Sequence, residues 1–136
     1  MSMFNILDIS ATAMHAQTVR LNTVASNMAN ADSVSSNKEE TYRSKQPVFQ
    51  TILDETTLEP QGGVRIKEIV ESEAPPKMEY SPNHPMADGD GYVYRPNVNV
   101  VEEMANMMSA SRSYETNIEV MNTSKQLLLR TIQLGQ

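Results

Sequence analysis

Apolar and small residues recur at spacings of three and four at both ends of this 136-residue chain, and not between them. Phe4, Leu7, Ala11, Met14, Thr18, Leu21, Ala25 and Met28 form one such row. Val100, Met104, Met107, Ser111, Tyr114, Ile118, Met121, Lys125, Leu128 and Ile132 form the other. Each is a heptad seam, interrupted only at Thr18, Ser111 and Lys125. Long helices at both extremities around a different middle suit a subunit that assembles through its ends. A compact enzyme more often places such segments inside its order.

The first seam predicts one helix over residues 3–30, with no Gly or Pro inside it and a length of about 42 Å at ~1.5 Å per residue. It ends near Asn30, because Asn30-Ala-Asp-Ser opens a polar stretch whose side chains compete for the backbone. The second helix opens after Pro96. Asn97 or Asn99 can cap it, and Glu102 and Glu103 fall in its first turn, where the helix dipole favours acids. It runs to about Leu134 and stops at Gly135.

The middle reads as strand and loop. Residues 42–53 are strand-like, with Pro47 tolerated at an edge or start. Asp54 to Gln61 is a connection, and Gly62-Gly63 a tight turn. Val64 to Val70 is a strand with Val64 and Ile66 on one face. Residues 73–89 hold Pro75, Pro76, Pro82 and Pro85 and are extended or looped. Tyr92-Val-Tyr adds a short strand. The expected fold is mainly α with a small β-rich or irregular middle, the terminal helices pairing as an antiparallel coiled coil. The expected divisions are 1–31 for an N-terminal assembly helix, 32–96 for the inserted middle, and 97–136 for a C-terminal assembly helix.

Charge separates these parts. The net charge of −6 offers no basic stripe to displace counterions from phosphates, so nucleic acid is not an expected partner. Residues 1–30 carry one acid, Asp8, and one base, Arg20. Residues 31–98 carry twelve acids and seven bases, and residues 99–136 four and three. A solvated helix normally displays many Glu, Lys and Arg. The first helix offers Asn, Ser, Thr, Gln and Ala instead, which points to close contact with other protein. Ten Met suit interfaces that must adapt their packing, and equally suit helix cores. Few large apolar groups lie in the first helix, so the termini are expected to order fully only among neighbours.

Candidate chemistry is sparse. The chain has no Cys, so no thiolate nucleophile, disulfide or Cys-based metal site is available. No apolar run is long enough to span a bilayer, and polar Asn5, Asp8, Ser10 and Thr12 break any signal-peptide core. Asp88-Gly-Asp-Gly resembles the start of a calcium loop, but positions five and twelve would be Tyr92 and Asn99 in place of oxygen-rich ligands. It reads as a turn. His15 and His84 lack a second ligand at metal spacing. Glu39-Glu40 and Glu102-Glu103 are adjacent, so their carboxyls diverge, and both pairs read as solvated acids. No catalytic residue, metal site or cofactor is expected.

Leu21-Asn-Thr-Val-Ala-Ser-Asn-Met-Ala-Asn resembles the Leu-Asn-x-x-Ala-x-Asn-hydrophobic-Ala-Asn signature of bacterial flagellar rod and hook proteins. Pro96 to Asn117, from Pro-Asn-Val-Asn-Val-Val-Glu-Glu-Met to Arg-Ser-Tyr-Glu-Thr-Asn, resembles their C-terminal signature, and Leu-Gly-Gln at 134–136 fits its close. His84-Pro-Met-Ala-Asp and Gly91-Tyr-Val-Tyr-Arg-Pro-Asn-Val are similar to the proximal-rod branch. Hook and distal-rod members usually continue the first signature with Thr-Pro-Gly-Tyr. Here Ala31-Asp-Ser-Val-Ser-Ser-Asn follows, and the short middle leaves no room for a hook domain.

The resemblance implies a structural subunit of the basal-body rod. It implies export through the flagellar type III apparatus without a cleaved signal, and polymerisation into the periplasm-spanning rod that transmits torque. Implied partners are further copies, other rod proteins and proteins at the junction of membrane ring and export gate. The residues assigned to the assembly interface are Leu7, Met14, Leu21, Asn22, Ala25, Asn27, Met28 and Asn30 on the first helix. On the second side they are Asn97, Val98, Val101, Met104, Met107, Ser111, Arg112, Tyr114, Asn117, Ile118, Met121 and Leu128. Asn22, Asn27 and Asn30 are expected to bond at subunit contacts, and Arg112 to anchor by charge, with Glu115 and Glu119 as possible partners. A soluble coiled-coil adaptor or export chaperone would share the seams and the acidity.

Overall fold

Two long helices of 28 and 35 residues hold just under half of the chain, and the middle is two small antiparallel sheets. The structure, a computed structural model, describes residues 3–53 and 60–135. In order, the elements are α1 (Met3–Asn30), β1 (Lys45–Leu53), β2 (Pro60–Glu71), β3 (Lys77–Tyr80), β4 (Tyr92–Arg95) and α2 (Val100–Leu134). Strands β1 and β2 form one antiparallel sheet and β3 and β4 the other.

The helix ends follow from local chemistry. Asn99, not Asn97, caps α2, and its Oδ1 accepts the Val101 N–H at 3.2 Å. Glu102 and Glu103 fill the first turn. At the far end Gly135 donates its N–H to the Ile132 carbonyl at 3.2 Å. Helix α1 has no acid in its first turn and no base in its last. Its C-terminus closes through Asn30, whose Nδ2 donates to the Ser26 carbonyl at 2.8 Å. The Asn30 carbonyl in turn accepts the Ser33 hydroxyl at 2.8 Å.

Helix α1 is central. It packs on α2 along one side and on β1 and β2 along another, whereas α2 contacts no other element among the described residues. The polar segment after α1 is tied down by a bridge in which Ser35 and Tyr94 exchange backbone hydrogen bonds of 2.9 and 3.0 Å.

Gly62-Gly63 is not the tight turn that the sequence suggests. Both glycines lie inside β2, which already pairs with β1 at Pro60 opposite Leu53. Gly62 has φ +85°, and a Cβ there would sit 2.8 Å from Ile9 Cδ1. At Gly63 a Cβ would meet Ile52 Cδ1 at 3.0 Å and Thr12 Oγ1 at 3.4 Å. The missing side chains let the strand lie flat on α1, close enough for Thr12 Oγ1 to accept the Val64 N–H at 3.3 Å. The predicted connection from Asp54 lies outside the described residues up to position 59. Strand β1 begins at Lys45 and not at Tyr42, because Tyr42 turns its hydroxyl to the end of α1.

The described core is small-residued and partly polar. Ala16, Val24, Val93, Val98 and Ala110 are buried alongside Ser10, Thr23, Asn27, Thr41, Glu103 and Ser124. Small side chains at the helix contact allow close approach of the backbones, and buried Thr23 Oγ1 back-bonds to the Val19 carbonyl of its own helix at 2.8 Å.

Candidate functional site

The exposure of the two helices divides each seam in half. On α2, positions 103, 107, 110, 114, 117, 121, 124 and 128 are all buried or half-buried. That row is a strict three-four repeat, and it faces α1, the one element α2 touches. It shares Met107, Tyr114, Met121 and Leu128 with the row read from sequence. It replaces Met104, Ile118 and Lys125, which are exposed, with Glu103, Asn117 and Ser124. Ala110 takes the sheltered place beside half-buried Ser111.

The displaced half forms a second row round the cylinder. Val101, Met104, Met108, Ile118, Leu129 and Ile132 are exposed, Val101 by 75% and Met104 by 50%. A helix that is apolar on more than one side is normally covered on each. Arg112 lies on this exposed side and makes no ion pair among the described residues, with Glu115 or any other acid.

Helix α1 shows the same division. Phe4, Asp8, Ala11, His15, Thr18, Asn22, Ala25 and Ala29 are exposed in a continuous heptad row. Leu7, Met14, Leu21 and Met28 are half-buried. The outward row carries one acid and no Lys or Arg, as the composition of this segment indicates.

The three asparagines of α1 differ in what they do. Asn22 is exposed. Asn30 closes the helix end. Asn27 is 1% exposed and bonds within the subunit. Its Nδ2 donates to the Lys45 carbonyl at 2.9 Å, and its Oδ1 accepts the Lys45 N–H and the Tyr42 hydroxyl, each at 2.8 Å. The same side chain opposes the upward shift of the Glu103 carboxyl on α2. One amide therefore joins α1 to the start of β1. Of the assigned residues before α2, Val98 is buried and Asn97 is exposed.

Glu103 is not the solvated acid that its neighbour Glu102 is. It is 7% exposed, and its Oε2 has no hydrogen-bond donor among the described residues. Burial pushes its carboxyl above the usual carboxylate range, aided by the charge of Glu102 and opposed by the Asn27 bond and the charge of Arg20. The Arg20 Nη2 donates to Asn106 Oδ1 on α2 at 3.0 Å. Arg20, Lys45, Glu102, Glu103 and Asn106 line a cleft of about 440 Å³ between α1, β1 and α2. Sequence reading missed Glu103 and Asn106. The signal was present: position 103 stands in heptad register with 107 and 110, but a Glu there is invisible to a search for apolar residues.

The Asp-Gly motif folds as a turn. Asp88 Oδ1 accepts the N–H groups of Tyr92 and Asp90 at 2.8 and 3.0 Å, and its Oδ2 accepts the Tyr94 hydroxyl at 3.2 Å. The Tyr92 bond leads in holding this carboxyl below its ordinary value. No helix among the described residues is long and apolar enough to cross a membrane.

Residues 7–35 match the family described as Flagella basal body rod protein. Residues 90–134 match the C-terminal family of flagellar basal body rod FlgEFG proteins. Over the full length of both chains, the sequence is 52% identical to flagellar basal-body rod protein FlgC of Salmonella typhimurium. It is 51% identical to FlgC of Escherichia coli O157:H7 and 42% identical to FlgC of Buchnera aphidicola subsp. Acyrthosiphon pisum, again over both full lengths.

Proposed function

This chain belongs to the flagellar basal-body rod protein family and is a structural subunit of that rod, and on that premise we propose that it polymerises through its terminal helices to transmit torque across the periplasm. Within the subunit the helices pair as an antiparallel coiled coil. The three-four row from Glu103 to Leu128 supports this pairing. So does the Arg20 to Asn106 bond, which joins the second half of α1 to the first third of α2. Residues 1–31 and 97–136 are the assembly segments, and 32–96 the outer unit.

The observation that carries the proposal is the second apolar row of α2, from Val101 to Ile132, which α1 leaves uncovered. Neighbouring rod subunits cover it, together with the nearly uncharged outward row of α1 that holds Asn22 and Ala25. The partners are further copies, other rod proteins and proteins at the junction of ring and export gate. The chain reaches them through the flagellar type III export apparatus. Expression in a strain lacking its rod counterpart tests this. Restored swimming and rods in purified basal bodies are the expected result. A purified chain that sediments as a small, completely helical oligomer and restores nothing overturns it.

A further inference from the structure

Arg20 and Glu103 line the same cleft between α1, β1 and α2, and each is left short of a partner of opposite charge. Arg20 Nη2 donates to the neutral Asn106 Oδ1 at 3.0 Å, and Arg20 makes no ion pair among the described residues. Glu103 is 7% exposed, and its Oε2 finds no donor among them. A buried carboxylate oxygen without a donor is costly, and natural structures rarely keep one. Asn106 stands three residues after Glu103 in α2, so the two share a helix face about 4.5 Å apart along the axis. On α1, Arg20 and Asn27 are about 10 Å apart along the axis, and both act on the Glu103 carboxyl. Glu103 therefore faces the stretch of α1 between them. The other charges near it do not supply the missing bond. Lys45 Nζ is taken up by Glu71 Oε1 at 3.8 Å and lies 5.9 Å from the centroid of the Tyr42 ring. Glu102 adds only negative charge. The adjoining hollow on the other side of Glu103 is lined by uncharged Ser44, Gln46, Ser72 and Asn97. Among the described residues, Arg20 is the cation left to answer Glu103.

We propose that Arg20 is a two-position clamp between the helices: it holds Asn106 while Glu103 keeps its proton, and crosses to the Glu103 carboxylate when that proton leaves through the cleft to solvent. The move spans less than one turn of α2, within the swing of a long side chain in a cleft of about 440 Å³. A guanidinium has N–H donors to spare beyond the one that Asn106 takes. An ionised carboxyl binds it more strongly than an amide oxygen does, and can take two parallel bonds from its fork. A protonated carboxyl offers no such pull, so the arginine then rests on Asn106. Either position ties the second half of α1 to the first turns of α2. The helix contact thus stays closed through a change of charge that would otherwise leave a bare carboxylate inside it. The clamp lies within one subunit and does not depend on polymerisation.

The test follows the full purified chain across a pH series, by NMR of the side-chain carboxyl carbons and by thermal unfolding. Arg20→Gln is expected to raise the Glu103 midpoint by about one pH unit or more, the effect of losing an opposite charge at contact distance. Arg20→Lys keeps the charge and should return the midpoint towards that of the parent. Arg20→Gln should also lower the melting temperature by about 4 °C more above the Glu103 midpoint than below it. In a Glu103→Gln background that difference should vanish. Asn106→Ala separates a moving arginine from a fixed one: it should destabilise the chain below the midpoint and be nearly silent above it. An unchanged Glu103 midpoint in Arg20→Gln overturns the inference. An Asn106→Ala loss that is equal on both sides of the midpoint also overturns it, since Arg20 then stays on Asn106 throughout. If Arg20→Gln does not fold, the Asn106→Ala comparison decides alone.

Discussion

Asn27 holds the backbone of Lys45 from both sides: its side-chain oxygen accepts the Lys45 N–H at 2.8 Å, and its amide donates to the Lys45 carbonyl at 2.9 Å. A strand neighbour would make the same pair of bonds. The helix thus supplies, from one side chain, the pairing that the first residue of β1 would otherwise seek from a third strand.

Replacing Asn27 with Ala should destabilise the isolated chain by about 2–4 kcal/mol, because two buried backbone groups and the Tyr42 hydroxyl lose partners together. Urea unfolding followed by circular dichroism measures it. Asn27→Asp should also destabilise, since it keeps the acceptor but removes the donor to the Lys45 carbonyl and places a second carboxyl against Glu103.

Met104→Asp and Leu21→Asp should behave differently. Met104 is half exposed in the free subunit, so the change should alter its unfolding free energy by no more than about 0.5 kcal/mol while abolishing rod assembly. Leu21 is already half-buried, so Leu21→Asp should weaken the fold as well. Export of both variants should remain detectable in culture supernatants. Normal swimming with Met104→Asp would remove that residue from the interface.

Gly62→Ala should cost about 1–3 kcal/mol, from positive φ and from contact with Ile9 together. Adding Ile9→Val deletes Cδ1, the atom nearest the new methyl. The double variant should therefore recover the contact part of the loss and not the backbone part, as read by the denaturation midpoint.

Stability should depend on pH through Glu103 in a defined direction. Its folded carboxyl titrates above its ordinary value, so the fold favours the protonated form. That stabilisation is complete below the unfolded value and is lost as pH rises through the folded one. Glu103→Gln should gain stability relative to the parent across that rise. Asp88 is held below its ordinary value by backbone bonds and should act oppositely, its contribution disappearing as pH falls through the folded value. Asp88→Asn should flatten that acid limb.

The final turns of α2 should exchange amide hydrogens quickly in the free chain and slowly in purified rods. Every residue from Leu129 to Gly135 is exposed, and an uncovered helix end frays.

Helix extents were readable because two independent signals agreed, the heptad spacing and the polar residues at Asn30 and Asn99. The seam was readable only by halves. Hydrophobicity marked Leu7, Met14, Leu21 and Met28, and Met107, Tyr114, Met121 and Leu128, all of which are half-buried. It also marked Met104 and Ile118, which are exposed, and passed over Glu103, Asn117 and Ser124, which are sheltered. Two helices that approach closely need small or bonded side chains between them, so the contact is written in size and polarity as much as in apolar character. Gly62-Gly63 misled for a related reason: a glycine pair signals both a turn and a place where two backbones touch, and only Ile9, more than fifty residues earlier, decides between them. The Asn27 bonds to Lys45 leave no periodic trace at all.

Asn27 and Lys45 come from different elements, and a single amide rivets them. A load entering along α1 is thereby handed to the hairpin at one stiff joint, without stretching the polar strap from Ala31 to Ser44. The length and composition of the strap then bear little on the stiffness of that joint.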